Sequence, residues 1–180
     1  LQSFFFSIFQ INWFSYVLHA AFINSLLVVS VYFFYRSLGL EKIKSFLYSS
    51  CVSILAYPSI GTPFMDHHAV IFSLIFIIFF TLGLLSNKKL FWFLSAICLS
   101  FSFLSKQIPA AYFGIITIPI IIIYWAKSKN TERQNINYFF IGILASLLIF
   151  FGFILNNNIP LDNFIDQYIF YPLTIGNERT

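Results

Sequence analysis

Charged side chains are scarce in this sequence. Its 180 residues include ten lysines and arginines and six aspartates and glutamates, so charged residues make up 9% of the chain. A soluble domain carries about 25%. Hydrophobic residues make up 59%, and the mean hydropathy is +0.87. So few charges cannot cover a water-exposed surface, which excludes an ordinary soluble domain and predicts that lipid is the solvent for much of the chain.

Cysteine is also rare. Cys51 and Cys98 both lie in apolar runs and do not form a CxxC pair. This spacing excludes a disulfide framework and a cysteine zinc site. We expect both cysteines to be small buried hydrophobic residues.

The basic residues are too few and too scattered for a nucleic-acid interface. The formal charge is +4, but the lysines and arginines lie between apolar runs and form no continuous stripe. We therefore expect no nucleic-acid partner, and we interpret the positions of these residues as signals of membrane orientation.

The sequence is rich in long apolar runs. A membrane helix needs about 20 mostly apolar residues. This predicts an all-α integral membrane protein, a single transmembrane domain over residues 1–180, with about six transmembrane helices. Residues 1–10 are apolar but too short to span, and we expect them to form a short helix in the interface. The six predicted spans lie near residues 13–35, 45–62, 69–86, 90–105, 110–126 and 138–155.

Alternate loops between these spans carry most of the basic residues. Cytoplasmic loops are enriched in lysine and arginine, so the sequence predicts that these loops face the cytoplasm and that both chain ends lie outside. Eight of the ten basic residues are in them: Arg36, Lys42, Lys44, Lys88, Lys89, Lys127, Lys129 and Arg133.

The opposite membrane face receives a small group of polar residues. Asp66, His67 and His68 immediately precede a long charge-free run, and Lys106 follows the next apolar run. The two runs are joined by the short segment "NKK", so they should form a hairpin whose outer ends lie one helix spacing apart, about 8–10 Å. We therefore expect Asp66 and Lys106 to face one polar pocket.

Lys106 is a candidate catalytic residue together with Asp66. Ionisable residues at membrane depth usually mark function. Pro109 predicts a bent backbone that lines a cavity, where a lysine could hold a phosphate as a point charge. Three structural alternatives remain open. Lys106 could extend to the interface, it could form an ion pair with Asp66, or Asp66 could be the N-cap of the third span.

Neighbouring polar residues are secondary candidates. His67, His68 and Gln107 are candidate substrate-binding residues, and Asp66 with His67 is a candidate metal pair. Because adjacent helical residues point about 100° apart, only one of the two histidines should face the pocket. We expect His19 to be a packed, hydrogen-bonded core residue. We expect a solvated loop for the tail residues Asp162, Asp166, Tyr168, Tyr171 and Arg179.

Two segments resemble the GT-C glycosyltransferases. Residues 58–85 read "PSIGTPFMDHHAVIFSLIFIIFFTLGLL" and resemble an outer loop with an aspartate just before an apolar helix. Residues 97–123 read "ICLSFSFLSKQIPAAYFGIITIPIIII" and resemble the next helix pair, in which an apolar run ends in a lysine and a proline-containing turn. The resemblance covers about residues 50–125 and is to the mannosyltransferase-like and aminoarabinose-transferase-like branch.

This resemblance implies a partial GT-C-type bundle and a specific activity. Such enzymes take a sugar from a polyprenyl-phosphate carrier and pass it to a lipid, glycan or protein acceptor at the outer face, here the periplasmic face of a bacterial inner membrane. Asp66 matches the acidic position that organises the site or a divalent metal, and Lys106 matches the lysine near the carrier phosphate. His67 and His68 would supply a metal ligand or hydrogen bonds to the sugar.

The sequence also departs from the family pattern. The family's general base usually comes from an acidic residue in the first outer loop, and no acidic residue here precedes Glu41, which lies in a predicted cytoplasmic loop. The family also has about twice as many spans. We therefore expect the chain to be a fragment of a longer protein and inactive in isolation.

Two other functions remain open. In a transporter or permease, Asp66, His67 and Lys106 would form an ion or proton site at the outer rim. A membrane assembly protein would need no chemistry at all. The clustering of ionisable groups at one rim, without detectable internal repeats, favours the enzyme.

Overall fold

The fold is described from a computed structural model for residues 2–56, 65–171 and 174. In that part of the chain the structure is helical and contains no strand. A single π-helical turn, Asp166–Phe170, follows the last helix. The helices are α1 (Gln2–Phe9), α2 (Trp13–Ser37), α3 (Lys42–Ala56), α4 (Met65–Ser86), α5 (Lys89–Ser105), α6 (Gln107–Lys127), α7 (Asn130–Asn156) and α8 (Leu161–Ile165).

The chain divides into two compact units. The first, Leu1–Ile143, contains α1 to α6 and the beginning of α7. The second, Leu144–Thr180, contains the end of α7 and α8. In the second unit the Phe164 ring lies 5.0 Å from the rings of Phe150 and Tyr168. The tail was expected to be a loop. That expectation is wrong for residues 161–170, which are helical, whereas Arg179 lies outside the described residues.

Four helices within the described residues are long and apolar enough to cross a membrane, so the prediction of an all-α membrane protein is confirmed. They correspond to the predicted first, third, fifth and sixth spans. The span count of six is not confirmed, because α3 has 15 residues and α5 has 17. At 1.5 Å per residue α5 is about 25 Å long, somewhat shorter than a hydrocarbon core of about 30 Å. The four are Trp13–Ser37, Met65–Ser86, Gln107–Lys127 and Glu132–Asn156.

Most of the remaining boundaries lie within a few residues of the predictions, but α7 begins at Asn130, well before the predicted start at residue 138. The predicted short helix near the start is α1. The second span was predicted to end at residue 62, whereas α3 ends at Ala56 and residues 57–64 lie outside the described residues. Pro58 and Gly61, which were expected to weaken that span, fall in this gap.

Helix α4 is the centre of the first unit. It packs against α2, α5 and α6. Its sequence is apolar on all sides, which is typical of a helix surrounded by other helices. By contrast, α6 leaves most of its isoleucines exposed, as expected for a helix that faces lipid. The core residues of α4 are Ile71, Phe72, Ile75, Phe76 and Phe80.

Trp92 fixes the far end of the α4–α5 hairpin. It is fully buried, and its ring lies 5.4 Å from the ring of Phe80 and 5.1 Å from that of Tyr124. Gly83 on α4 makes room for the indole, because a Cβ at that position would lie 3.3 Å from the Trp92 ring. A small residue thus permits the close approach of α4 and α5.

Asn87 joins three helices at this same end. Its backbone adopts a φ of 54°, a left-handed conformation that asparagine tolerates well. Its side-chain oxygen accepts a hydrogen bond from Tyr124 Oη, its backbone oxygen accepts one from Asn135 Nδ2 at 2.9 Å, and its own Nδ2 donates to Glu132 Oε1 at 3.2 Å. These bonds tie the α4–α5 turn to α6 and α7.

The two cysteines differ in environment. Both are free thiols, with Cys98 buried and Cys51 exposed. The expected burial is therefore confirmed for Cys98 and wrong for Cys51. Cys51 lies on α3. Among the described residues α3 packs mainly against α2, so much of the α3 surface is left uncovered.

Gly142 marks a close approach of α7 to α5 in the first unit. A Cβ there would lie 2.6 Å from the Phe93 oxygen and 2.8 Å from the Ala96 Cβ. Because both neighbours are held in α5 and one of them is backbone, the crossing cannot accommodate even a methyl group without a shift.

We predict that Gly142→Ala destabilises the protein by about 1–3 kcal/mol, the usual cost of overpacking. The matched control is Gly114→Ala, since a Cβ at Gly114 meets nothing within 4 Å. The control should leave stability unchanged or raise it by up to about 1 kcal/mol. Denaturant titration of the purified protein in detergent, followed by tryptophan fluorescence, measures both. Equal stability of the two variants would contradict the crossing.

Candidate functional site

Asp66 and Lys106 form an ion pair at one end of the α4–α5 hairpin. Lys106 Nζ lies 2.5 Å from Asp66 Oδ1. The predicted proximity of these two residues is therefore confirmed. Both side chains remain accessible, with 52% of Lys106 and 65% of Asp66 exposed. At this exposure in water the pair contributes only about 0–1 kcal/mol, so it places opposite charges together without contributing much stability.

The helix ends explain why these charges occupy these positions. Asp66 lies in the first turn of α4, and Lys106 is the C-cap of α5. A carboxylate near a helix N-terminus is favoured by the helix dipole. Lys106 is both the C-cap of α5 and the N-cap of α6, so the two helix dipoles act on its ammonium in opposite senses. The antiparallel hairpin brings these two ends side by side. The alternative that Asp66 is the N-cap of the third span is wrong, because Asp66 lies within α4, which begins at Met65.

Two buried serines hold the hairpin together one turn below the ion pair. Ser102 Oγ donates to the Ala69 backbone oxygen at 2.7 Å and lies 2.7 Å from Ser73 Oγ. Both serines are buried. The Lys106 backbone N–H also donates to the backbone oxygen of Ser102. Ser102 therefore fixes the position of α5 along the axis of α4. This in turn fixes the position of Lys106.

The two adjacent histidines of α4 occupy different environments, as their angular separation predicted. His68 is buried and turns toward α2, where its Nε2 lies 3.0 Å from His19 Nε2. His67 is half-buried, and its Nδ1 has no partner among the described residues. The expectation that His19 is a packed, hydrogen-bonded core residue is confirmed.

The backbone after α5 bends as Pro109 predicted. Lys106 is extended, with φ −158° and ψ 136°, and Ile108 is non-helical, with φ −101° and ψ 128°. Gln107 lies between them and is half-buried. The bend lets Lys106 leave the α5 axis and reach Asp66. A cavity at this bend remains a prediction.

A metal at Asp66 and His67 also remains a prediction. Across residues 2–56, 65–171 and 174, no three histidine, cysteine, aspartate or glutamate side chains converge to hold a metal ion. One oxygen of Asp66 already contacts Lys106. A divalent ion here would thus take at most two ligands from the described histidine, cysteine, aspartate and glutamate side chains, which resembles magnesium sites completed by substrate phosphate and water.

The serine pair and the His19–His68 contact were missed from the sequence. Ser73 and Ser102 look like ordinary small residues of apolar helices, and only the register of the hairpin brings them together. The position of His19 hinted at the contact. It lies two turns into the predicted first span, near the membrane depth expected for a residue at the start of the predicted third span. The sequence did not show that α2 packs against α4, so the contact could not be predicted from this position.

The chain was compared with known protein families, with curated proteins and with solved structures, and none of the three comparisons found a match.

We predict that Ser102→Ala lowers the free energy of unfolding by about 0.6–1.7 kcal/mol, the range measured for hydrogen bonds between membrane helices. The control is Ser100→Ala, since Ser100 Oγ bonds only within its own helix, to the Ala96 oxygen at 2.9 Å. Denaturant titration in detergent compares them. A loss for Ser100→Ala as large as that for Ser102→Ala would contradict the interhelical role of Ser102.

Proposed function

We propose that this chain is part of a GT-C-type glycosyltransferase that moves a sugar from a polyprenyl-phosphate carrier to a lipid, glycan or protein acceptor. The observation that carries the proposal is the contact between Asp66 and Lys106 at one end of the bundle, opposite the basic connections. Two segments that resemble neighbouring parts of this enzyme class supply these two residues.

In this proposal α3 and α5 also cross the bilayer, giving six spans. The support is connectivity: α5 begins at the basic end of α4 and returns to its acidic end, as a crossing helix must. The excess of lysine and arginine then assigns the α2–α3, α4–α5 and α6–α7 connections to the cytoplasm. Asp66 and Lys106 lie on the periplasmic face of a bacterial inner membrane.

Lys106 is the phosphate-binding residue in this proposal. As the bond between the sugar and the carrier phosphate breaks, its electron pair passes to the phosphate oxygen, which gains negative charge. A fixed cation beside that oxygen stabilises the transition state more than the ground state. Lys106 suits this task because the bend after α5 holds its backbone, and because its charge is only half-covered.

Asp66 holds the lysine in place before substrate arrives. The carboxylate neutralises the ammonium, and the carrier phosphate then replaces it as the partner of Lys106. The released carboxylate lies beside His67 and can bind the sugar or share a divalent metal with the phosphate. Such a metal would supply a Lewis acid for the departing phosphate. His68 and Gln107 remain candidates for contacts with the sugar.

A transporter is the second candidate. The observation that favours it is the buried His19–His68 contact, because interacting ionisable side chains at membrane depth often carry ions or protons. In this alternative Asp66, His67 and Lys106 form the outer entrance of the path.

We predict that Lys106→Ala and Asp66→Asn each reduce sugar transfer from a polyprenyl-phosphate donor about 100-fold or more, in the range seen when one transition-state contact is lost. Membranes that contain the longer enzyme of which this proposal makes the chain a part are assayed with a radiolabelled lipid-linked sugar. The matched control is Lys44→Ala, which breaks a second ion pair among the described residues, Lys44 Nζ to Glu41 Oε2 at 3.3 Å. The control should retain full activity.

The charge-swapped double variant, Asp66→Lys with Lys106→Asp, separates catalysis from structure. It restores an ion pair but moves the cation to α4, so a catalytic lysine predicts that the enzyme stays inactive. Recovery of activity in the swapped variant would show that the pair is only structural. If the parent protein transfers no sugar, and Asp66→Asn and Lys106→Ala abolish its uptake of a solute, the result would instead support the transporter.

A further inference from the structure

We propose that the end of the bundle remote from Asp66 binds a membrane lipid whose headgroup carries two phosphates, as that of diphosphatidylglycerol does. The site is a basic surface formed where the α4–α5 and α6–α7 connections meet. This inference is independent of the proposed glycosyltransferase function, because it uses none of the residues of the candidate site. The basic surface consists of Lys88, Lys89, Lys127, Lys129 and Arg133.

Hydrogen bonds to Asn87 bring the two connections together. Tyr124 Oη, near the end of α6, donates to the side-chain oxygen of Asn87, and Asn135 Nδ2 on α7 donates to its backbone oxygen at 2.9 Å. The Nδ2 of Asn87 donates to Glu132 Oε1 at 3.2 Å. Each cation of the basic surface lies no more than three residues along the chain from a member of this network. The two connections therefore present one cluster of positive charge.

The positive charge of the basic surface is not neutralised by the protein. Glu132 is the one acidic residue of these two connections, and its carboxylate accepts hydrogen bonds from Asn87 Nδ2 and, at 3.2 Å, from the Lys129 backbone N–H. None of the five cations has an ion-pair partner among the residues that the structure describes. The four lysines are exposed and Arg133 is half-buried. Five cations against one carboxylate attract an anion.

Aromatic rings hold two of the cations at the level expected for lipid headgroups. Lys89 Nζ lies 5.1 Å from the centre of the Tyr138 ring, and the Arg133 guanidinium carbon lies 4.6 Å from that of Trp125. Arg133 Nε also donates to the Trp125 backbone oxygen at 2.8 Å. Tryptophan and tyrosine concentrate where a membrane meets water, and cation–π contacts restrain the charges above them. Part of the basic surface is thus positioned before a ligand arrives.

The neighbouring apolar surface favours a lipid over a soluble anion. Helix α6 ends at Lys127, and most of its isoleucines are exposed, so acyl chains can lie along it beneath the basic surface. The cations come from two connections, and the Glu132 carboxylate contacts both of them. A headgroup with two phosphates can offer one phosphate to each connection. Basic pockets between membrane helices bind headgroups of this kind.

The α2–α3 connection is also basic, but its charges are already engaged. Lys44 Nζ lies 3.3 Å from Glu41 Oε2, and Arg36 Nη1 donates to the Leu40 backbone oxygen. Among the described residues this connection forms no cation–π contact. It therefore supplies a control in which equal charge is removed outside the proposed site.

The test is native mass spectrometry of the protein purified in detergent, with diphosphatidylglycerol or phosphatidylglycerol added at equal phosphate concentration. Each lysine or arginine beside an anionic lipid contributes about fivefold in affinity. We expect the parent to bind diphosphatidylglycerol at least about fivefold more tightly than phosphatidylglycerol. Lys88→Gln combined with Lys127→Gln should weaken that binding about 25-fold. Lys42→Gln combined with Lys44→Gln removes the same charge from the α2–α3 connection and should leave the affinity unchanged.

Three outcomes would overturn the proposal. Equal affinity of the parent for the two lipids would exclude recognition of a second phosphate, and this comparison needs no variant to fold. Equal weakening by the two double variants would show that overall charge, rather than the basic surface, holds the lipid. Displacement of the bound lipid by pyrophosphate at the same concentration would assign the basic surface to a soluble diphosphate instead.

Discussion

The antiparallel packing of α4 against α5 is the interaction on which the candidate site depends. It brings the N-terminus of one helix beside the C-terminus of the next, so an aspartate and a lysine that are far apart in sequence become partners. The dipole of α4 favours the carboxylate of Asp66 in its first turn. The serines below and the indole of Trp92 at the far end hold the register. Without that register, neither charge would have a defined neighbour.

Buried polar side chains pair between the helices of the first unit, although the buried Nε1 of Trp92 has no hydrogen-bond partner among the described residues. Ser73 and Ser102 pair between α4 and α5, His19 and His68 pair between α2 and α4, and Asn24 Nδ2 donates to Ser53 Oγ between α2 and α3 at 2.9 Å. Hydrogen bonds between membrane helices are modest individually. Because they are directional, they select one relative position for helices whose apolar surfaces would slide freely.

Polarity also divides the bundle into two ends. One end carries the three basic connections and is tied together by Asn87, Tyr124 and Glu132. The other end carries a balanced ion pair and two histidines that differ in burial. A function that requires charge separation, proton movement or phosphate binding fits the second end, where the charges are few and opposed.

Much of the fold could be predicted because apolar length and basic loops are strong signals. They located α2, α4, α6 and α7 and brought Asp66 and Lys106 to one end. The lengths of α3 and α5 could not be fixed, since hydropathy alone does not show where a short helix stops. The His19–His68 contact depends on how α2 rotates against α4, and that rotation is decided by packing that no local pattern encodes.

One structural alternative for Asp66 is also excluded. An aspartate before an apolar run is typical of an N-cap, yet the helix begins one residue earlier, at Met65, and the carboxylate contacts Lys106. The roles of His67 and Gln107 could not be derived from the sequence either, because any binding role of these side chains depends on the identity of the substrate. Cys51 was misplaced because an apolar run does not distinguish a core face from a lipid face.

The most direct test of the central claim is labelling with a membrane-impermeant maleimide. Single cysteines are placed at residue 66, 106 or 88 in a variant without Cys51 and Cys98, in intact cells that express the protein. The account predicts that residues 66 and 106 react from the outside and that residue 88 reacts only after the membrane is opened. Labelling of residues 66 and 106 from opposite sides would contradict it.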